Sequence, residues 1–184
     1  NDDSRDAFYK FENDFDPTAA PQTIQLYRPF AQLNAATNDL DKVQKNLIAL
    51  TTSQVTVKAY TQFNLETGAP VEASLTDVTF TATNIPATSN EALKDGFTYL
   101  SMNYMFAPKG GMVTDATYLF KGKRDNGAGA EVEFTGTSYS NIPLKQNYRT
   151  NSRGALLTKE TEIKVEILPG FGTPDEVVDI WDGK

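Results

Sequence analysis

Short stretches in which apolar and polar side chains alternate, each cut off by turn residues, limit what this chain can fold into more than any other feature. Between Glu162 and Ile167, the residues Ile163, Val165 and Ile167 interleave with Glu162, Lys164 and Glu166. Successive side chains of a strand point to opposite faces, so this is the pattern of a half-buried strand. From Gln54 to Leu65, Val55, Val57 and Ala59 alternate with Thr56 and Lys58, and Phe63 and Leu65 keep the period up to a Glu66-Thr67-Gly68 turn. Val78, Phe80 and Ala82 repeat it until Pro86. Between Gln22 and Thr37, Ile24, Leu26, Arg28 and Phe30 share one phase and Ala31, Leu33 and Ala35 the other, which predicts a bulge at Arg28-Pro29.

The stretch from Phe97 to Phe106 is apolar on both faces, with Leu100, Met102, Tyr104 and Phe106 on one and Tyr99 and Met105 on the other, as in a central strand. Lys109-Gly110-Gly111 reads as a turn and Met112 to Lys121 as a strand. Arg124-Asp125-Asn126-Gly127 is the best hairpin signal, since Asn-Gly supplies the positive φ angles of a type I′ turn, with Glu131 to Phe134 returning as partner. Ile142 to Leu144 and Tyr148 to Thr158 complete the strands. Asn38 or Asp39 caps a short helix running to about Leu47, with Leu40, Val43 and Leu47 on its inner side. Seven to nine strands and one short helix make an all-β, two-layer sandwich. Its expected core includes Leu33, Val57, Phe80, Leu100, Tyr104, Leu156 and Val165.

At 184 residues the chain suits one such domain, occupying 22–172. Residues 1–21 read as a polar arm or interdomain linker with aromatic anchors at Phe8, Tyr9, Phe11 and Phe15, closed by Pro17 and Pro21. Residues 173–184 form a tail or an added strand, in which Val177, Val178, Ile180 and Trp181 are the candidates for binding a partner. The charged start, Asn1-Asp2-Asp3, reads as that of a trimmed or processed chain, with any lipid-attachment cysteine upstream.

Composition narrows the chemistry. The chain has no cysteine and no histidine, so disulfides, thiolate nucleophiles, and the commonest general base and zinc ligand are all missing. Seventeen basic against twenty-four acidic residues give a net charge of −7, a field that opposes nucleic acid and anionic membranes. No run of apolar residues is long enough to span a bilayer. The carboxylates of 1–6, with Asp14 and Asp16, lack the glycine turn and late glutamate of a calcium loop. Asn38, Asp39 and Asp41 fit a helix N-terminus. No GxSxG elbow occurs, and neither Gly110-Gly111 nor Asn126-Gly127-Ala128-Gly129 leads from a strand into a helix as a phosphate cradle does. No cofactor and no catalysis are expected. A sugar-binding surface would draw on Trp181, Tyr118, Tyr139 or Tyr148, aromatics that more often belong to a core.

The stretch from Ile142 to Thr158, IPLKQNYRTNSRGALLT, reads as two strands joined at an irregular corner, with Tyr148, Arg149 and Asn151 as its structural residues. Arg149 and Arg153 lie four apart without helical apolar spacing, so they need not share a face. Arg149 is expected to be buried and bonded to backbone carbonyls or to a carboxylate.

The same stretch carries a family resemblance. NYRTN followed by GALLT, with RPFAQLNAATNDL at 28–40 and YLSMNYMF at 99–106, resembles the fimbrillin-like surface proteins of the Bacteroides group, particularly their DUF6562 type, over roughly residues 1–172. The resemblance implies a transthyretin-like sandwich of Greek-key order and a lipid-anchored precursor at the bacterial outer membrane. It also implies work in fimbriae or adhesion, through other pilus subunits or host surface ligands. In relatives of this kind an acidic stretch ending in RDAFY follows a smaller sandwich, so a preceding domain is implied as well. The reading is therefore a non-catalytic fimbrial subunit or adhesin that associates by strand addition, with any membrane attachment through a lipid anchor outside this chain. The alternative is a glycan- or host-ligand-binding module.

Overall fold

The structure, a computed structural model, describes residues 7–14, 16, 18, 23–85, 96–158, 164–169 and 178–179, with backbone alone at 135–137, 164–169 and 178–179. After β1 (Phe30–Thr37) and the helix α1 (Leu40–Lys45) come β2 (Ala49–Tyr60), β3 (Phe63–Asn64), β4 (Ala69–Pro70), β5 (Leu75–Thr79) and β6 (Thr83–Asn84). β7 (Thr98–Phe106), β8 (Met112–Lys123), β9 (Glu131–Leu144), β10 (Tyr148–Gly154), β11 (Lys164–Pro169) and β12 (Val178–Asp179) follow.

Hydrogen bonding runs β12-β11-β10-β1-β7-β2-β8-β9, with β5 and β6 also on β2. β7 and β2 are joined by one residue pair, Tyr60 opposite Phe106. The path folds over at that point into two layers, β12-β11-β10-β1-β7 and β2-β8-β9 with β5 and β6. The layers meet face to face. Tyr118 of β8 and Ser152 of β10 share a hydrogen bond of 3.1 Å between their hydroxyls, and one buried cluster draws Leu33 and Leu100 from the first layer and Val55, Val57 and Phe120 from the second. The chain is the all-β sandwich its alternation predicts, with one short α-helix among the described residues.

β2 and β8 follow the period-two rule closely: Val55, Val57 and Ala59, like Thr114, Ala116, Tyr118 and Phe120, are buried, while the residues between them reach solvent. β1 breaks it. All of its residues from Ala31 to Thr37 are buried, because both of its faces are covered and it lies between β7 (antiparallel) and β10 (parallel). Ordered strand begins only at Phe30, after Pro29, and the register break falls at Ala35/Ala36, so the bulge predicted at Arg28-Pro29 is displaced. α1 stops at Lys45. Leu47, expected on its inner side, is 53% exposed with φ of 55°, and its carbonyl accepts the Asn126 N–H.

Ile142 to Leu144 is the end of β9 rather than a separate strand, and Pro143 is tolerated there because β9 ends the path, where a missing N–H costs little. The hairpin between β8 and β9 turns one residue earlier than Asn-Gly suggests. Asn126 and Gly127 take positive φ as expected, but so does Asp125, and the Gly127 N–H closes the turn on the Arg124 carbonyl at 3.0 Å. Of the expected core, Leu33, Val57, Leu100 and Leu156 are buried and Phe80 packs against the cluster. Leu156 and Leu157 do so from a turn beyond β10. Tyr104 is only half-buried, on the other face of β7, and the side chain of Val165 lies outside the described residues.

Candidate functional site

The residues expected at a corner lie in a straight strand. β10 runs parallel to β1 with Gln32 opposite Arg149, Asn34 opposite Asn151 and Ala36 opposite Arg153. The two signature segments of the sequence are thus neighbours in space. Arg149, Asn151 and Arg153 do share a face, because alternate residues of a strand point the same way, and it is the face away from Tyr118. Arg149 is 3% exposed, as expected, and its Nε donates to the side-chain Oε1 of Gln32 at 2.8 Å. Asn34 Nδ2 donates to Asn151 Oδ1 at 2.8 Å, and both asparagines are buried. At the far end of the pair the buried Asp39 carboxylate, expected only to face a helix terminus, accepts from the N–H and hydroxyl of Thr158 at 2.7 Å each and from the Thr37 hydroxyl. These are framework contacts. They lock β1 to β10 and show no open surface.

The corner itself is Lys145-Gln146-Asn147, where the chain crosses from β9 in one layer to β10 in the other. The Tyr148 N–H closes it on the Lys145 carbonyl at 3.0 Å. Beside it lies the β7–β8 crossing, Pro108 to Gly111, closed by the Gly111 N–H on the Pro108 carbonyl, which also accepts the Gln146 N–H at 3.2 Å. The two turns are therefore tied together at one end of the sandwich.

Across them lies the segment that leads into β1, paired with the arm through reciprocal hydrogen bonds between Tyr9 and Tyr27 at 2.8 and 2.9 Å. Tyr9 is held further by the edge of Phe63, by its hydroxyl donating to the Gly68 carbonyl at 3.3 Å, and by Gln146 Nε2 donating to that hydroxyl. Gly68, with φ of 64°, cannot be replaced cheaply: a Cβ there would sit 2.8 Å from the Tyr9 hydroxyl.

Between these pieces is a cleft of about 510 Å³. Arg28 lies over the Phe8 ring at 4.7 Å and donates to Asn147 Oδ1 at 2.9 Å; Lys109 lies over Tyr27 at 5.3 Å, and Lys145 over Tyr148 at 4.3 Å. Among the described residues ten line the cleft, three of them cationic and none acidic. Tyr148, from the expected corner, and Phe8, from the aromatic anchors of the arm, both reach this site. Lys109, Lys145 and Gln146 escaped sequence reasoning because each sits in an ordinary turn, and only the tertiary fold brings the two turns together.

The other aromatics considered for sugar binding go elsewhere. Tyr118 is 1% exposed and Tyr139 packs against the core. Val177, Ile180 and Trp181 lie outside the described residues. The backbone of Val178 pairs with this chain's own β11, opposite Ile167. Among the described residues no three acidic side chains come together to hold a metal ion, and no helix is long and apolar enough to cross a membrane. A family model described as a family of unknown function (DUF6562) matches residues 1–181. No curated protein matches the chain.

Proposed function

We propose, for a chain that belongs to the DUF6562 family of unknown function, a non-catalytic role as a surface subunit of a fimbria or an adhesin, in which one copy adds a strand to the sheet of the next. The observation that carries this reading is the outer edge of the first layer. β11 spans six residues, yet β12 pairs with only Glu166 and Ile167, so most of that edge keeps unpaired backbone groups among the described residues. Such an edge is a template for an extended segment, with main-chain hydrogen bonds giving affinity and alternate side chains giving selectivity. A framework without histidine or cysteine supports structural rather than catalytic work. The kinship with fimbrillin-like proteins and the lipid-anchored place at an outer membrane rest on the likeness of NYRTN, GALLT and RPFAQLNAATNDL, and belong to the same proposal.

The test is to remove residues 173–184 from the full-length protein and follow assembly by light scattering beside thermal unfolding. Loss of polymers at an unchanged melting temperature is the expected result. A collapse in stability makes β12 an ordinary strand of its own sandwich, and assembly that continues unaltered removes the terminal segment from the mechanism; either result overturns the proposal.

A further inference from the structure

The cleft at the crossing-turn end uses none of the β11 edge, and its chemistry is distinctive in an acidic protein. With a net charge of −7, a surface taken at random is rich in carboxylates, yet among the described residues this lining has three cations and no acid. Among the described residues Lys109 and Lys145 form no ion pair; each rests on an aromatic face instead. A ring face orients an ammonium without neutralising it, so both charges stay available to a ligand. The aromatic surface is open, with Phe8 51% and Tyr27 37% exposed. Gln146 lines the same cleft at 6% exposure, and its Oε1 has no hydrogen-bond partner. That oxygen is shut off from solvent, so Gln146 forms part of the cleft's buried floor, where its Nε2 holds the Tyr9 hydroxyl at 3.3 Å.

We infer that this cleft binds an anionic carbohydrate, a sugar carrying a carboxylate or a sulfate ester, with the acid on Lys109 and Lys145 and the apolar face of the ring against Phe8 or Tyr27. The volume of about 510 Å³ suits one or two sugar rings, since small-molecule sites are typically several hundred Å³. The hydrogen bond between the two turns means that the lysines are placed before any ligand arrives, which lowers the ordering cost of binding. An extended polyanion such as nucleic acid is disfavoured by the charge of the whole chain, whereas a compact monoanion meets only the local field.

The experiment titrates the full chain by calorimetry with the methyl glycoside of galacturonic acid, a monosulfated galactose disaccharide, the neutral methyl galactoside, inorganic sulfate, and the acidic peptide Asn-Asp-Asp-Ser-Arg-Asp. Binding of at least one acidic sugar is expected, with the neutral sugar and sulfate at least about tenfold weaker, and the stronger acidic sugar identifies the acid group. Lys145→Gln and Lys109→Gln should each weaken that binding about tenfold, one charge-assisted contact apiece. Phe8→Ala, on the arm, should weaken it less. All three are surface changes whose melting temperatures can be checked beside the affinities. No binding, equal binding of the neutral sugar, sulfate as tight as the sugars, tighter binding of the peptide, or affinity unaltered by the lysine variants each overturns the inference.

Discussion

In β8 exposed and buried positions take turns from Val113 to Lys123, whereas in β10 every residue from Arg149 to Gly154 is buried. Both are strands of one sandwich and both contribute to the shared core, through Tyr118 on one side and Ser152 on the other. They differ on the face turned away from that core. On β2, β5, β8 and β9 that face carries threonine and serine pairs open to water, Thr56 with Thr79 and Thr117 with Ser138. On β1 and β10 it carries Gln32, Asn34, Arg149 and Asn151, closed off from water and bonded among themselves. A polar group in water loses little when its partner goes. A buried one must carry the full desolvation penalty alone.

The comparison breaks most visibly at Arg149. Arg149→Ala should lower the unfolding free energy by about 3 kcal/mol in urea titration, because it strands the Gln32 amide and leaves a cavity. A loss below about 1 kcal/mol would mean that this face is wet and the contrast false. Tyr118→Phe removes a hydroxyl contact between the layers, that with Ser152, and should cost about 1 kcal/mol.

That tyrosine also adds a pH signature. Burial pushes the Tyr118 hydroxyl well above its ordinary pKa, so the folded protein keeps the proton while the unfolded chain begins to lose it near pH 10. The stability it contributes is full below about pH 10 and falls as pH rises through that value towards the folded pKa. Melting curves should therefore drop more steeply above about pH 10 in the parent protein than in Tyr118→Phe. Least affected should be Thr56→Ala, on the open face, at no more than about 0.5 kcal/mol by the same urea titration.

The same contrast decides what the sequence made legible. Where one face of a strand is wet, as in β2 and β8, composition records it directly, and Val55, Val57 and Ala59 were readable as inward residues. Where both faces are covered, the polar letters of Arg149, Thr150, Asn151 and Ser152 imitate a loop, and nothing local distinguishes a hydrogen-bonded interior from a solvated turn. Burial of Arg149 was foreseeable from its chemistry, but its contact with Gln32, 117 residues away, was not. Leu47 was misread because helical spacing continues past the point where the Asn126 contact takes over the backbone. The cleft was hidden for a related reason: Lys109 and Lys145 belong to two crossings whose adjacency is a property of the layers.

The parallel pairing of β1 with β10 also sets the order of events when the chain is made. β1 emerges before β10, and their paired residues are 117 positions apart, as Asn34 is from Asn151. Contacts that far apart close slowly, because a long loop must be ordered before any of them is gained. Until Tyr148 to Gly154 arrives, one side of β1 is a bare edge with two carboxamides and no acceptor strand, the kind of surface on which nascent chains stick to one another. A product cut short before Tyr148 would keep that edge for good. Quality control would therefore fall chiefly on the interval between the synthesis of β1 and that of β10, when a molecular chaperone that shields extended segments would be most needed.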